Sequence, residues 1–488
     1  MGILAGLNPE PIWIFFEEIC KIPRLSKNEG KIRSYLMKFA SDNKLESKED
    51  SAGNIVIIRP PSPGYENKKC VVLQSHMDMV GEKDSDNPHN WDTDPIIPHI
   101  DGEWVKAKGT TLGADDGIGL ASQLAILTDP DLKAGKIECL FTTDEESGMT
   151  GAFNIKSDFI EGRTLINLDS EDEGILFIGC AGGIDTLGEM KYSLSPLPGN
   201  FSAYRISLTG LHGGHSGDEI HKGYGNSVKL MNRILRSLSD NYQIALCRFD
   251  AGNLRNAIPR EAFAEIAVNN LTDTGVEKFV REFQSVFENE FGDLEKDLKI
   301  NIKEIKTPSR AMDLKSQDRL IKLLSCCPHG VIAWSREMDD LVETSTNLAS
   351  VSFEPDDKVK IITTQRSSIE SSKHDAAGMV EGCMKLANAT VEHSSGYPGW
   401  KPNLKSEILA ITRQSYNDLF GKEPQVRAIH AGLECGLFYE KFKGIDMISF
   451  GPSIRGAHTP DEKIEIKTVR MFWDLLLDVI KHIPEKTV

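Results

Sequence analysis

The run Val71-Val72-Leu73-Gln74-Ser75-His76-Met77-Asp78 constrains this chain more than any other stretch. A short apolar run of this kind predicts a buried strand, and alternate residues of a strand point the same way. His76 and Asp78 therefore emerge side by side where the strand ends, the usual place for a site in an open α/β sheet. A carboxylate beside an imidazole fixes its tautomer for metal binding.

Three more stretches carry the same chemistry. Gly113-Ala114-Asp115-Asp116-Gly117 sets an acidic pair between glycines ahead of a helix expected over Leu120 to Leu127. A strand over 137–142 delivers Asp144-Glu145-Glu146, and a strand over 164–168 delivers Asp169, followed by Ser170-Glu171. Strands alternating with helices, each ending in a carboxylate, predict an α/β fold with a parallel sheet. A lone strand-end acid is ordinarily a turn or cap residue. Three of them together with His76 point to one convergent site.

At 488 residues the chain is too long for a single core. Residues 1–186 have α/β texture. Residues 187–392 alternate polar and apolar positions in strands separated by helical runs, the texture of a one-sided α+β sheet. Residues 393–488 return to α/β. The expectation is a catalytic domain (1–186 and 393–488) with a mixed central sheet flanked by helices, interrupted by an inserted α+β domain (187–392). Near the start, a helix is expected over 9–22 and a second, capped by Ser26, through about Ala40.

Bulk properties exclude several classes. A formal net charge of −17 disfavours nucleic acid and anionic membranes as partners. No stretch approaches the ~20 apolar residues of a membrane span, and the N-terminal residues lack the pattern of a signal peptide. The nine cysteines are odd in number and scattered, which reads as reduced core residues in a cytoplasmic protein.

His76, Asp115, Glu146, Asp169 and His458 form a candidate donor set of two imidazoles and three carboxylates. Such donors suit zinc, manganese or cobalt rather than copper(I) or an iron–sulfur cluster. Five donors exceed one tetrahedral ion and suit two if one carboxylate bridges. Two divalent ions, three carboxylates and one hydroxide sum to neutrality. Glu145, beside a ligand, is then free to shuttle protons, and the reaction class is metal-assisted hydrolysis of an amide or peptide bond. His430 is open between structural and functional use. Glu434 reads either as a helix cap or as a contact for a substrate amine.

Taken in order, Ser75-His76-Met77-Asp78, Gly113-Ala114-Asp115-Asp116-Gly117, Asp144-Glu145-Glu146-Ser147-Gly148 and Leu168-Asp169-Ser170-Glu171 resemble the signatures of the di-zinc aminoacylase and carboxypeptidase-G-type peptidases. Gly213-Gly214-His215-Ser216-Gly217, Asn256-Ala257-Ile258-Pro259-Arg260, Tyr397-Pro398-Gly399-Trp400 and His430-Ala431-Gly432-Leu433-Glu434-Cys435-Gly436 narrow the resemblance to the aminoacyl-histidine dipeptidase branch. It implies two zinc ions per chain, replaceable by cobalt or manganese, and hydrolysis of unblocked dipeptides such as Xaa-His and carnosine. His76 and Asp169 would hold one ion, Glu146 and His458 the other, and Asp115 would bridge. Asp78 would orient His76, and Glu145 would act as general base and acid. The inserted domain would be a lid whose His215 steadies the oxyanion, with Arg366 on the substrate carboxylate and Asn256 and Glu434 also contacting substrate. Where the family pattern carries Asn after the bridging aspartate, this chain has Asp116.

Two other readings share these residues. A deacylase of N-acyl amino acids would use every metal ligand. A non-catalytic binding protein would be expected to lack Glu145 or a ligand, and all are present. Homodimerisation, and whether His215 acts within its own subunit, are left open by the sequence.

Overall fold

The computed structural model describes residues 2–271 and 275–486. The chain divides into two compact units. One comprises Met1–Gly179, Trp400–Ala428 and Leu433–Val488, and the other Cys180–Gly399 and Ile429–Gly432.

The first unit is built on an eight-stranded sheet. At its centre Ile137–Thr142, Val71–His76, Thr164–Asn167 and Asp446–Ser449 run parallel. Glu46–Glu49 and Ile55–Arg59 extend one side in antiparallel fashion, so the sheet is mixed. The central strands Val71–His76, Ile137–Thr142 and Thr164–Asn167 are buried throughout, as strands covered on both faces must be. Being parallel, they end at one edge of the sheet. Their continuations, from His76, Thr142 and Asn167, gather there.

The helix Ala114–Thr128 packs against the strand Val71–His76 and is buried from Asp116 to Leu127. Its Gln123 is wholly buried. It donates from Nε2 to the carbonyl of Leu73 at 2.7 Å and accepts the Ser75 hydroxyl. A polar side chain thus locks this helix to the strand that ends in His76. The first helix, Glu10–Ile19, lays Ile12, Trp13, Phe16 and Ile19 into the same core.

The second unit centres on a nine-stranded sheet whose pairings are antiparallel. On the strand Phe201–Thr209, Tyr204, Ile206 and Leu208 join the large core formed with the helices Ser227–Asn241, Val276–Phe291 and Leu314–Cys326, while Ala203 joins a small alanine cluster. That alternation is the period-2 pattern of a sheet with one heavily covered face. Among the described residues, no helix is long and apolar enough to cross a membrane.

Ser26 does not cap a helix. The second helix begins at Gly30, and the Ser26 hydroxyl instead donates to Asp78 Oδ2 at 2.8 Å. The expected helix is otherwise present over Gly30–Asp42, with Ile32, Leu36 and Phe39 inward.

Arg24, two residues upstream, is 3 % exposed. Its guanidinium donates to the carbonyls of Met77 (2.9 Å), Asp78 (2.6 Å) and Gly113 (2.5 Å). It therefore ties the end of the His76 strand to the loop before the helix Ala114–Thr128. Arg24→Met would orphan three buried carbonyls and should cost about 2–4 kcal/mol of stability. Urea unfolding followed by circular dichroism measures it, and a midpoint equal to the parent's would refute this role.

Candidate metal centre

His76 ends its strand 1 % exposed. Its Nδ1 faces Asp78, 3.1 Å from the backbone carbonyl and 3.4 Å from Oδ1. Its Nε2 points the other way, 3.0 Å from Asp115 Oδ1 and 3.7 Å from Asp169 Oδ1. The second oxygen of Asp115 serves another cluster. His458 Nε2 is 3.2 Å from Asp115 Oδ2 and 2.9 Å from Glu146 Oε2. Asp115 thus stands between two imidazole–carboxylate pairs, one oxygen toward each.

Two triads, His76–Asp115–Asp169 and Asp115–Glu146–His458, each bring three ligand atoms within 4.8 Å of one another. Glu145 and Glu146 form a third such group with His76. The donor set fits divalent cations in a further respect: Glu146 Oε1 is buried without a hydrogen-bond partner, and buried carboxylate oxygens are rarely left so.

The backbone around these residues is held firmly. Asp78, fully buried, accepts the Glu145 N–H on Oδ1 at 3.0 Å and the Glu146 N–H on Oδ2 at 3.2 Å. One carboxylate therefore sets both the His76 ring and the turn carrying the acidic pair. Glu462, 2 % exposed, takes Leu112 and Gly113 N–H on Oε2 (2.7 and 2.9 Å) and Ala114 and Asp115 N–H on Oε1 (2.7 and 3.3 Å). With Arg24 on the Gly113 carbonyl, the segment that presents Asp115 is gripped on both its N–H and its C=O groups. His458 has φ of 62°, a left-handed conformation rare outside glycine and often found at functional sites.

The electrostatics follow from burying this much negative charge. Burial opposes ionisation of Asp78, but His76, the Glu145 N–H and Ser26 outweigh it and bring its carboxyl down to about 2. Burial likewise opposes ionisation of Asp115, yet His458 and His76 hold it well below the carboxylate range. Burial drives Asp169 and Glu145 upward, only partly offset by His76. Burial disfavours a charged His76, but Asp169, Asp115 and Asp78 raise it well above the usual imidazole value. Asp115 and Glu146 bring His458 up to about 11. Protons on the imidazoles are thus what balances the carboxylates when no other cation is present. A divalent ion would take over that task and release them.

Asp116 is 2 % exposed, with Oδ1 accepting the Gly119 N–H at 3.1 Å and Oδ2 unpartnered. Burial, with Asp115 beside it, raises this carboxyl toward the neutral form, which has the shape of asparagine. Glu434 opens the helix Glu434–Lys441 and is 1 % exposed. Its Oε2 accepts from Gln74 Nε2 and Thr142 Oγ1, both at 2.7 Å, and its Oε1 has no partner. Burial raises it to about 7.

His215, Asn256 and Arg366 belong to the second unit. Ser216 N–H donates to the Asn256 carbonyl at 2.9 Å and Ile258 N–H to that of Gly214 at 2.8 Å, which pairs His215 with Ala257, the residue after Asn256. His215 Nδ1 is 3.3 Å from Asp218 Oδ2. Arg366, 6 % exposed, donates from Nη1 to the Tyr397 hydroxyl at 2.8 Å. His430 is buried with Nε2 2.7 Å from Ser345 Oγ, and burial, helped by Arg366, lowers it to about 3. It stays a neutral hydrogen-bonding ring.

Neither Arg24 nor Glu462 lies in a sequence motif. Glu462 stands four residues past His458, the one hint available.

Residues 72–482 match the model of peptidase family M20/M25/M40. The chain is 43% identical to the cytosol non-specific dipeptidase of Escherichia coli (strain K12) over 486 residues, with 100% of both chains covered. It is also 43% identical to the aminoacylhistidine dipeptidase of Vibrio alginolyticus, whose crystal structure superimposes with a TM-score of 0.93 over 99% of each chain. The aminopeptidase PepT of Bacillus cereus shares the fold at 17% identity, with a TM-score of 0.58 over 98% of this chain and 99% of that one. With two triads sharing one aspartate, and a relative 43% identical over its whole length, the chain belongs to peptidase family M20/M25/M40.

Proposed function

We propose that this chain is a cytoplasmic, metal-dependent dipeptidase that hydrolyses unblocked dipeptides, Xaa-His among them. The observation that carries the reading is the division of Asp115, with Oδ1 3.0 Å from His76 and Oδ2 3.2 Å from His458. The names of the two relatives at 43% identity support the substrate class, and the Escherichia coli relative's name supports the compartment.

His76 and Asp169 would hold one divalent ion and Glu146 and His458 the other, with Asp115 shared; zinc is the proposed metal, with cobalt and manganese as substitutes. Such a pair, when bound, polarises a carbonyl and makes a coordinated water more acidic. Asp78 keeps the His76 Nδ1 occupied, so that Nε2 presents its lone pair. Glu145 is surplus to coordination. Burial, with Glu434, Glu146 and Asp115 adding to it, raises its carboxyl, a setting suited to taking a proton from the attacking water and passing it to the leaving amine. The unpartnered Glu434 Oε1 suits the ammonium of an unblocked substrate. An N-acyl amino acid has no such group, which favours dipeptides over the deacylase reading. His215 is assigned to the oxyanion, Asn256 to the substrate backbone and Arg366 to the terminal carboxylate. These assignments, and the lid role of the second unit, rest on the family resemblance and on side-chain chemistry.

Three outcomes are expected. Calorimetric titration of metal-stripped protein with Zn²⁺ should give two equivalents, and Asp115→Ala should bring this below one; two ions retained in the variant would remove the bridge. Glu145→Gln should keep its metal by elemental analysis while kcat falls by about 10²–10⁴-fold. Loss of metal with unchanged turnover per bound ion would exchange the roles of Glu145 and Glu146. Arg366→Ala should lower kcat/KM for a dipeptide by about 30- to 1000-fold and hardly affect the corresponding dipeptide amide. Equal damage to both substrates would make the arginine structural.

A further inference from the structure

Arg366 lies on the strand Lys358–Ser367, with Ser345 as its cross-strand neighbour on one side and Gly183 on the other. Gly183 offers no side chain, and the space beside the arginine is filled from elsewhere. Tyr397 pairs with Gly183 through two backbone bonds, Gly183 N–H to the Tyr397 carbonyl at 3.0 Å and Tyr397 N–H to the Gly183 carbonyl at 2.9 Å. Its ring lies where a Gly183 side chain would be: a Cβ there would come within 2.7 Å of Cζ and the hydroxyl. On a second side, a Cβ on Gly432 would come within 2.8 Å of ring carbon Cε2. The phenol threads a slot that two glycines leave open, and its hydroxyl arrives at Arg366 Nη1.

The rest of the loop is tied down. Lys373 Nζ donates to the Tyr397 carbonyl at 2.6 Å, and Gly399 N–H donates to Glu370 Oε1 at 2.9 Å. Lys373 is itself 3 % exposed and is paired with Glu370 at 2.9 Å.

Which nitrogen of Arg366 is taken matters. A guanidinium meets a carboxylate through two parallel N–H bonds, and the edge formed by Nε and Nη2 is one of those faces. Tyr397 engages Nη1, on the opposite side of the group. Nε is buried and has no hydrogen-bond partner, a costly state for a charged donor unless a ligand relieves it. We propose that Tyr397 is a positioning residue for substrate recognition: threaded between Gly183 and Gly432, its hydroxyl holds Nη1 and so turns the Nε–Nη2 edge of Arg366 to receive the carboxylate of a dipeptide's C-terminal residue. This rests on the reading of Arg366 as the carboxylate contact. Burial raises the Tyr397 phenol, so the hydroxyl stays neutral and acts by hydrogen bonding alone.

The test is a double-mutant cycle read as the ratio of kcat/KM for a dipeptide to that for its amide. Tyr397→Phe keeps the ring and should lower this ratio about tenfold, the change carried by KM with little loss of kcat, as expected for one lost hydrogen bond to a charged group. On an Arg366→Ala background the same substitution should lower the ratio no further. Gly432→Ala, which retains the hydroxyl but crowds the ring, should reproduce the fall. Circular dichroism melts establish that each variant is folded. If Tyr397→Phe depresses the dipeptide and the amide alike, or acts as strongly without Arg366, the tyrosine is packing only and the proposal fails. If Arg366→Ala itself leaves the ratio unchanged, the carboxylate reading of Arg366 falls instead, and the positioning role falls with it.

Discussion

Negative charge packed into the edge of a buried parallel sheet is the constraint on which the rest of the first unit depends. Asp78, Asp115, Asp116, Glu146, Asp169 and Glu434 lie within a few side chains of His76; Asp78, Asp116 and Glu434 are buried and the other three are only partly exposed. Bare carboxylates in such a place repel one another and lose their hydration, which costs far more than any packing gain returns. Three remedies operate together. Some carboxyls are driven toward their neutral form, the imidazoles are driven toward their charged form, and main-chain N–H groups are turned inward as partners. The first two are provisional, because a divalent cation does the same work with greater charge density.

Main-chain partners are the permanent remedy, and they account for the rigidity of the donor set. Glu462 engages four consecutive N–H groups and Arg24 three carbonyls. Neither needs to touch a candidate ligand's side chain to place it. Asp115 is positioned because the peptide units before it cannot rotate. Gln123, buried between the helix Ala114–Thr128 and the strand Val71–His76, extends the same principle to the elements themselves.

Sequence made the first layer of this site legible and hid the second. Periodicity is local, so the strand ending at His76 and the acids after 142 and 167 could be read from their neighbours alone. That these strands are parallel, and so deliver their ends to one edge, followed from their alternation with helices. The mixed character of the sheet came from its outer strands, whose texture differs little from that of the centre. Ser26 looked like a helix cap because a serine ahead of an amphipathic run ordinarily is one; the pull of the buried Asp78 carboxylate won. Arg24 and Glu462 are silent in the sequence for a different reason. They bind peptide groups, which every residue possesses, and their partners lie 89 and about 350 positions away in the chain. Tyr397 belonged to a recognisable signature, yet its contact with Arg366 depends on two glycines that lie far from it and from each other in sequence.

The Glu462 contact also has a temporal side. Synthesis runs from the N-terminus, so the segments bearing His76, Asp115, Glu146 and Asp169 are made long before the segment that contains both His458 and Glu462. Until that segment leaves the ribosome, the loop before Asp115 lacks its anion and the second triad lacks its imidazole. A chain made only as far as Asp169 therefore carries one candidate triad without the other. Residues 112–115 are thus held by a side chain that is made about 350 positions later.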